Sequence, residues 1–259
     1  MLSCNYLRRK NHVDSPEQFR FIEWPMPFLA IVQVDLQNLF RSRMTYGWLI
    51  VGVFLQVIRV LSAPSVIGTS AIVVQGLGDF IFLWSMLIIG ITANAVSSET
   101  GELADSIMSK SVKRHDYIMA KFTSRIMYVM TIYLLISGVL VGASMRLMEN
   151  DYDTNGLIAA ILLVALVLVM LTTLGVTLSM VTSNTVISIV SLLVIWYSMT
   201  IFLPLVDLGF MSPSSMIDGL LDIIQGVWNG EEWKISTSFG GISIIAMSLS
   251  VLYFSTKDL

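Results

Sequence analysis

The sequence predicts an all-α membrane protein: six transmembrane helices, an N-terminal interfacial elbow helix, a charged surface helix between the second and third spans, and an outer amphipathic helix between the fifth and sixth. Three observations carry this prediction. Of 259 residues, 55% are hydrophobic and only 13% charged, with a mean hydropathy of +0.79; a water-soluble domain carries about a quarter charged residues. Six stretches poor in charge, at 44–63, 77–96, 117–144, 157–181, 186–206 and 235–254, are each near the length of about 20 residues that a helix needs to cross a bilayer core. These stretches are continuously apolar, without the period-2 alternation of barrel strands, and only helices or closed barrels satisfy backbone groups in lipid.

Taken in order, residues 1–26 read as a cytoplasmic extension, irregular or docked on a partner, because Arg8, Arg9 and Lys10 lead into the polar stretch 11–20. A signal peptide would place an apolar segment there. Residues 27–259 form one transmembrane domain. Its elbow helix, 27–43, sets Leu29, Val32, Leu36, Leu39 and Phe40 on one face and Asp35, Gln37, Arg41 and Arg43 elsewhere, a pattern for lying flat on the cytoplasmic leaflet. After two spans, the stretch 97–116 has Glu99, Glu102 and Asp105 early and Lys110, Lys113 and Arg114 late, the order that suits a helix dipole. The four-residue link 182–185 makes the fourth and fifth spans antiparallel neighbours. In 212–233, Met216, Leu220, Ile223, Ile224, Val227 and Trp228 recur at helical spacing among Asp218, Asp222 and Glu231, which predicts an amphipathic helix at, or dipping into, the outer interface.

Six spans put both termini on one side, and the cationic residues choose it. Arg8, Arg9, Lys10, Arg20, Arg41, Arg43, Lys110, Lys113, Arg114, Lys121, Arg125 and Lys257 fall on the terminal side, against Arg59, Arg146 and Lys234 opposite. Both termini are therefore expected in the cytoplasm, with the chain multi-pass in the cell (inner or plasma) membrane.

The missing chemistry narrows the function. A net charge of -3 offers no broad basic surface, so nucleic acid is not an expected partner. The single cysteine, Cys4, builds neither an internal disulfide nor a Cys-based metal site. No phosphate-binding loop is present, and His12 and His115 both sit in polar segments, so no catalytic residue is predicted and the chain is not read as an enzyme. Ionisable residues fall toward span ends: Arg59 near the outer end of the first span, Asp79 near the start of the second, Lys121 and Arg125 one turn apart at the inner end of the third. Snorkelling to the interface accounts for such side chains; the alternative for Arg59 and Asp79 is an ion pair gating the outer mouth. The 16 methionines are scattered among Leu and Ile as gap fillers. No metal site is expected. Gly138 and Gly142 give a G-x-x-x-G that suits packing either within the chain or between copies.

The segment 99–121 resembles the cytoplasmic loop of ATP-binding cassette type-2 permeases, where an acidic residue, a short helix, a basic turn and a Lys opening the next span recur in that order. Glu99, Gly101, Leu103, Val112, Arg114 and Lys121 occupy the matching places; Ala104 to Met108 lacks the usual Leu-Leu pair, and Ser111 stands where Pro often does. Residues 34–43 look like the family's elbow helix, and the ending from Tyr253 to Leu259 is similar to its common F-x-x-x-D-L. The resemblance implies a permease subunit that moves a hydrophobic or amphipathic substrate. It pairs with a second permease copy and is driven by a separate nucleotide-binding ATPase subunit that holds the ATP and Mg. Residues 99–114 would then be the coupling helix, with Glu99, Glu102, Leu103, Ile107 and Arg114 meeting the ATPase. The alternative is a non-transporting membrane anchor or assembly subunit of a larger complex.

Overall fold

The computed structural model describes residues 27–64, 67–97, 114–182, 184–206, 208–230 and 232–256. Within them every regular element is helical: α1 (Pro27–Arg41), α2 (Arg43–Ser62), α3 (Thr69–Phe82), α4 (Trp84–Ala93), α5 (Arg114–Leu147), α6 (Thr154–Val181), α7 (Thr185–Phe202), α8 (Pro213–Ile224) and α9 (Glu232–Thr256), with 3-10 turns at Leu203–Val206 and Gly209–Met211. Six helical stretches among them are long and apolar enough to cross a membrane: α2, α3 with α4, α5, α6, α7 with its following turn, and α9. The chain is a multi-pass membrane protein. The predicted coupling helix lies outside the described residues.

α6 is the hub, packed against α3, α4, α5, α7, α8 and α9. Its sequence explains the place, since it carries no charged residue and is apolar on every side, as befits a helix enclosed by others. Aromatic side chains from four spans, Trp48, Phe80, Trp84, Tyr128, Tyr133 and Trp196, fill the core around it. The Phe80 and Tyr133 rings meet edge-on at 4.8 Å, and the Tyr133 hydroxyl donates to the Ile161 carbonyl at 2.8 Å.

The structure departs from the sequence reading in three ways. The second span starts at Thr69 rather than at 77, because its polar first turn finds partners: the Glu149 carbonyl accepts from Thr69 Oγ1 at 2.8 Å, and Asp151 accepts from the Ser70 backbone N–H at 2.8 Å. Those partners lie in the α5–α6 connection, far away in sequence. The same span is broken at Leu83. There the Ile81 carbonyl accepts from Trp196 Nε1 at 3.3 Å and the Phe82 carbonyl from the Tyr197 hydroxyl at 3.2 Å, so α7 supplies donors to the break.

The third departure concerns the amphipathic segment. Its helix ends at Ile224, because Gly226 takes a positive φ of 83°, a conformation that stops a helix and favours glycine. Val227 and Trp228 are therefore off the helix and exposed. α8 dips into the bundle rather than lying on it, with Met216, Leu220, Ile223 and Ile224 buried in the main core. It runs antiparallel to α3: Gln225 donates to Ser70 at one end, and Ile217 packs beside Gly78 deeper in.

The link between α6 and α7 is the tight hairpin the sequence predicts. Asn184 caps α7 through the backbone N–H groups of Val186 and Ile187, and the hydroxyls of Thr182 and Ser188 bond across the turn.

Candidate functional site

Two charged constellations sit in the described bundle, one at the end carrying α1 (the near end) and one toward the opposite end. The first joins α1 to α5. On α1 the buried positions are Val32 and Asp35, while Leu29 is exposed. Asp35 therefore belongs to the packed face, which corrects the sequence reading that set it apart. Its carboxylate takes Lys121 Nζ at 3.1 Å and Arg125 NH2 at 3.7 Å on one oxygen, and the Ser124 hydroxyl on the other. All three donors come from α5, because positions 121, 124 and 125 are one turn apart and share a face.

Lys121 and Arg125 are correspondingly buried and turned inward, rather than snorkelling to the interface. The Arg125 Nε is buried with no hydrogen-bond partner. A second bond set continues the clamp one turn further: Thr45 Oγ1 donates to the Leu39 carbonyl at 2.6 Å and shares a 2.7 Å bond with the Tyr128 hydroxyl. The Phe40 and Tyr128 rings pack at 5.2 Å. The short Ser42 turn between α1 and α2 is thus held to α5 on both sides.

The second constellation joins α2 to α3. Arg59 NH2 lies 2.6 Å from Asp79 Oδ2, and Arg59 NH1 donates to Gln56 Oε1 at 3.1 Å. Gln56 is fully buried, with its Oε1 close to Gly76. The structure therefore brings the sequence-predicted pair together, but at an unexpected depth. Asp79 is ten residues past Thr69, where the span begins, so its Cα is about 15 Å along the helix at 1.5 Å per residue. The polar collar of Thr69, Ser70, Asp151 and Gln225 marks the far boundary of the apolar region. Asp79 is thus well along the candidate span Thr69–Ala93 and not near its start. Arg59, one turn from the end of α2, reaches inward to it.

At the near end the second span is closed off by α6. Ser179 Oγ accepts from the backbone N–H groups of Val96 and Ser97, both at 2.9 Å, and Ser97 Oγ bonds Thr185 Oγ1 at 2.7 Å. The segment 98–113, which carries Glu99, Glu102, Leu103 and Ile107, lies outside the described residues, and Arg114 opens α5. Of the described residues on either side of it, Ser97 is held by Ser179 and Thr185, and α5 is held to α1 by the Asp35 clamp. Gly138 and Gly142 of the G-x-x-x-G have no atom within 4 Å of an added Cβ, so among the described residues the motif makes no close packing contact. Among the described residues no group of three or more His, Cys, Asp or Glu could hold a metal ion.

Asp151 and the anchoring roles of Asp35 and Ser179 are what sequence reasoning passed over. Asp35 did carry a signal, since a carboxylate four residues before the apolar Leu39 and three after Val32 falls on the helix's apolar face. No family model matches the chain, and no curated protein matches it.

Proposed function

We propose that this chain is the permease subunit of an ATP-binding cassette transporter, in the cell membrane with both termini cytoplasmic. It moves a hydrophobic or amphipathic substrate while ATP is hydrolysed, with Mg, on a separate nucleotide-binding subunit. Two copies of the membrane subunit pair around the pathway. The observation that carries this reading is the Asp35–Lys121–Ser124–Arg125 clamp. It welds the helix preceding the first span to the third span, whose helix opens at Arg114, directly after the charged segment in sequence.

The mechanism follows from that weld. A push delivered to residues 98–113 by a partner cannot be absorbed at either root, because Ser97 is held by Ser179 and Thr185, and α5 is locked to α1. Displacement is instead passed to α4 and α5 as rigid rods. Buried, close-packed interfaces shift between discrete arrangements rather than deform smoothly. On this reading Glu99, Glu102, Leu103, Ile107 and Arg114 meet the ATPase, and the Arg59–Asp79 pair holds α2 against α3 at the outer gate.

The test is purification of the full chain from its native membrane with any ATPase that accompanies it. Glu102→Lys, Leu103→Lys and Ile107→Trp are expected to lose the partner while the chain still reaches the membrane. Retention of the ATPase, with its turnover still responding to the membrane subunit, overturns the coupling assignment. Tags at each terminus reporting on the outside of sealed cells would overturn the orientation.

A further inference from the structure

At the far end a cavity of about 360 Å3 opens between α6 and the start of α9, within the range of small-molecule pockets, about 300–1,000 Å3. Its floor is one face of α6, where Ala159, Leu162 and Leu166 recur at helical spacing and Leu162 is 63% exposed. These positions lie roughly 8–18 Å along α6 from Thr154, at 1.5 Å per residue, so the floor runs from near the polar collar toward the middle of the helix. Trp228, Glu232 and Trp233 belong to the rest of the wall. Gly226, at a positive φ, turns the chain after α8, and both tryptophans then reach this one cavity. Glu232 Oε1 accepts the Asn229 backbone N–H at 3.0 Å, which holds the carboxylate in place. Among the described residues Glu232 is the one charged group on the wall.

Each part alone has an ordinary explanation. Tryptophans gather at membrane interfaces, and an acidic residue suits the first turn of a helix. Neither reason puts a carboxylate and two indoles on the wall of one apolar cavity. A carboxylate drawn out of water needs a counter-charge, and no cationic side chain lines this wall. The geometry points to a site for one lipid of the far-end leaflet that carries an ammonium headgroup. Its acyl chain lies along Ala159, Leu162 and Leu166, and its ammonium meets the Glu232 carboxylate beside the Trp228 and Trp233 indoles. Indole is the best aromatic partner for such a cation. A bare acyl chain would fill the floor and leave the carboxylate unmatched, and a purely anionic headgroup is repelled by it. The inference takes nothing from the transporter reading and stands or falls without it.

The experiment reconstitutes the full chain into phosphatidylglycerol vesicles and titrates in phosphatidylethanolamine or phosphatidylglycerol with brominated acyl chains, which quench nearby tryptophan fluorescence. Subtracting the signal of a Trp228→Phe, Trp233→Phe variant isolates these two indoles from the other tryptophans. Brominated phosphatidylethanolamine is expected to quench the difference signal with an apparent affinity about fivefold above that of brominated phosphatidylglycerol, the factor that weak, exposed ammonium contacts supply. Glu232→Gln is expected to bring the two lipids together. Equal quenching by both lipids in the parent chain marks ordinary boundary lipid and overturns the inference. A signal that neither lipid reaches, as when a second copy covers the cavity, overturns it too, and so does a preference that survives Glu232→Gln. If Glu232→Gln loses its helical circular dichroism, Ser236→Lys is scored by the same rule, because it sets a cation one turn from Glu232 on the same wall.

Discussion

Removing the Asp35 carboxylate is expected to destabilise the protein far more than removing an ordinary membrane-surface charge. In the structure Asp35, Lys121 and Arg125 are each no more than 11% exposed, and Arg125 has Asp35 as its ion-pair partner among the described residues. Asp35→Ala leaves that guanidinium buried without its counter-charge and takes an acceptor from Ser124. Breaking a buried pair from one side costs about 3–5 kcal/mol, and the long 3.7 Å separation between Arg125 and Asp35 argues for the lower end. The opposite result is expected when the charges leave together. Asp35→Leu with Lys121→Met and Arg125→Met should be within about 1 kcal/mol of the parent or more stable, because well-packed apolar replacements of buried ion clusters often are. Reversible unfolding in mixed micelles, titrated with a denaturing detergent, reads both. Asp35→Ala within about 0.5 kcal/mol of the parent, or a triple variant as unstable as the single one, would refute the claim that a desolvated cluster joins α1 to α5.

Two further outcomes follow from the packing of α6. Gly175→Ala should destabilise by about 1–3 kcal/mol, since an added Cβ collides with the Thr92 side chain and overpacked sites cost that much; Gly138→Ala, with open space around it, should be neutral or stabilising by up to about 1 kcal/mol, and the same micelle titration compares them. Ser179→Ala removes the acceptor for the Val96 and Ser97 backbone N–H groups at a cost of about 1–3 kcal/mol; hydrogen exchange at these two amides should speed up while exchange in α6 stays unchanged, and unaltered exchange at both would contradict the assignment.

The spans were legible because bilayer thickness and backbone hydrogen bonding leave few options, and every helix long enough to cross appears close to its sequence position. The misses share one cause. The first turn of the second span is too polar to score as membrane, and only the later Glu149 and Asp151 make it affordable. The Asp35 carboxylate looks like solvent-facing decoration on α1 until α5 is placed beside it. Gly226, whose positive φ follows the end of α8 at Ile224, sits in a run whose apolar spacing continues unbroken to Trp228. In each case a residue far along the chain, or a backbone angle, overrides the local pattern. The Arg59–Asp79 pair was visible as two residues, but its depth was not, because depth depends on where the span begins.

The far-end ties of the second span also set an order on how the protein can be made. Ser70 depends on Asp151, 81 residues later, and on Gln225, 155 residues later. At a synthesis rate of about 5–20 residues per second, the ribosome reaches Gln225 roughly 8–30 seconds after Ser70. Until then the nascent second span carries bare polar groups at its leading edge and an aspartate well along its length, so its settled position belongs to the end of biogenesis rather than to its own insertion.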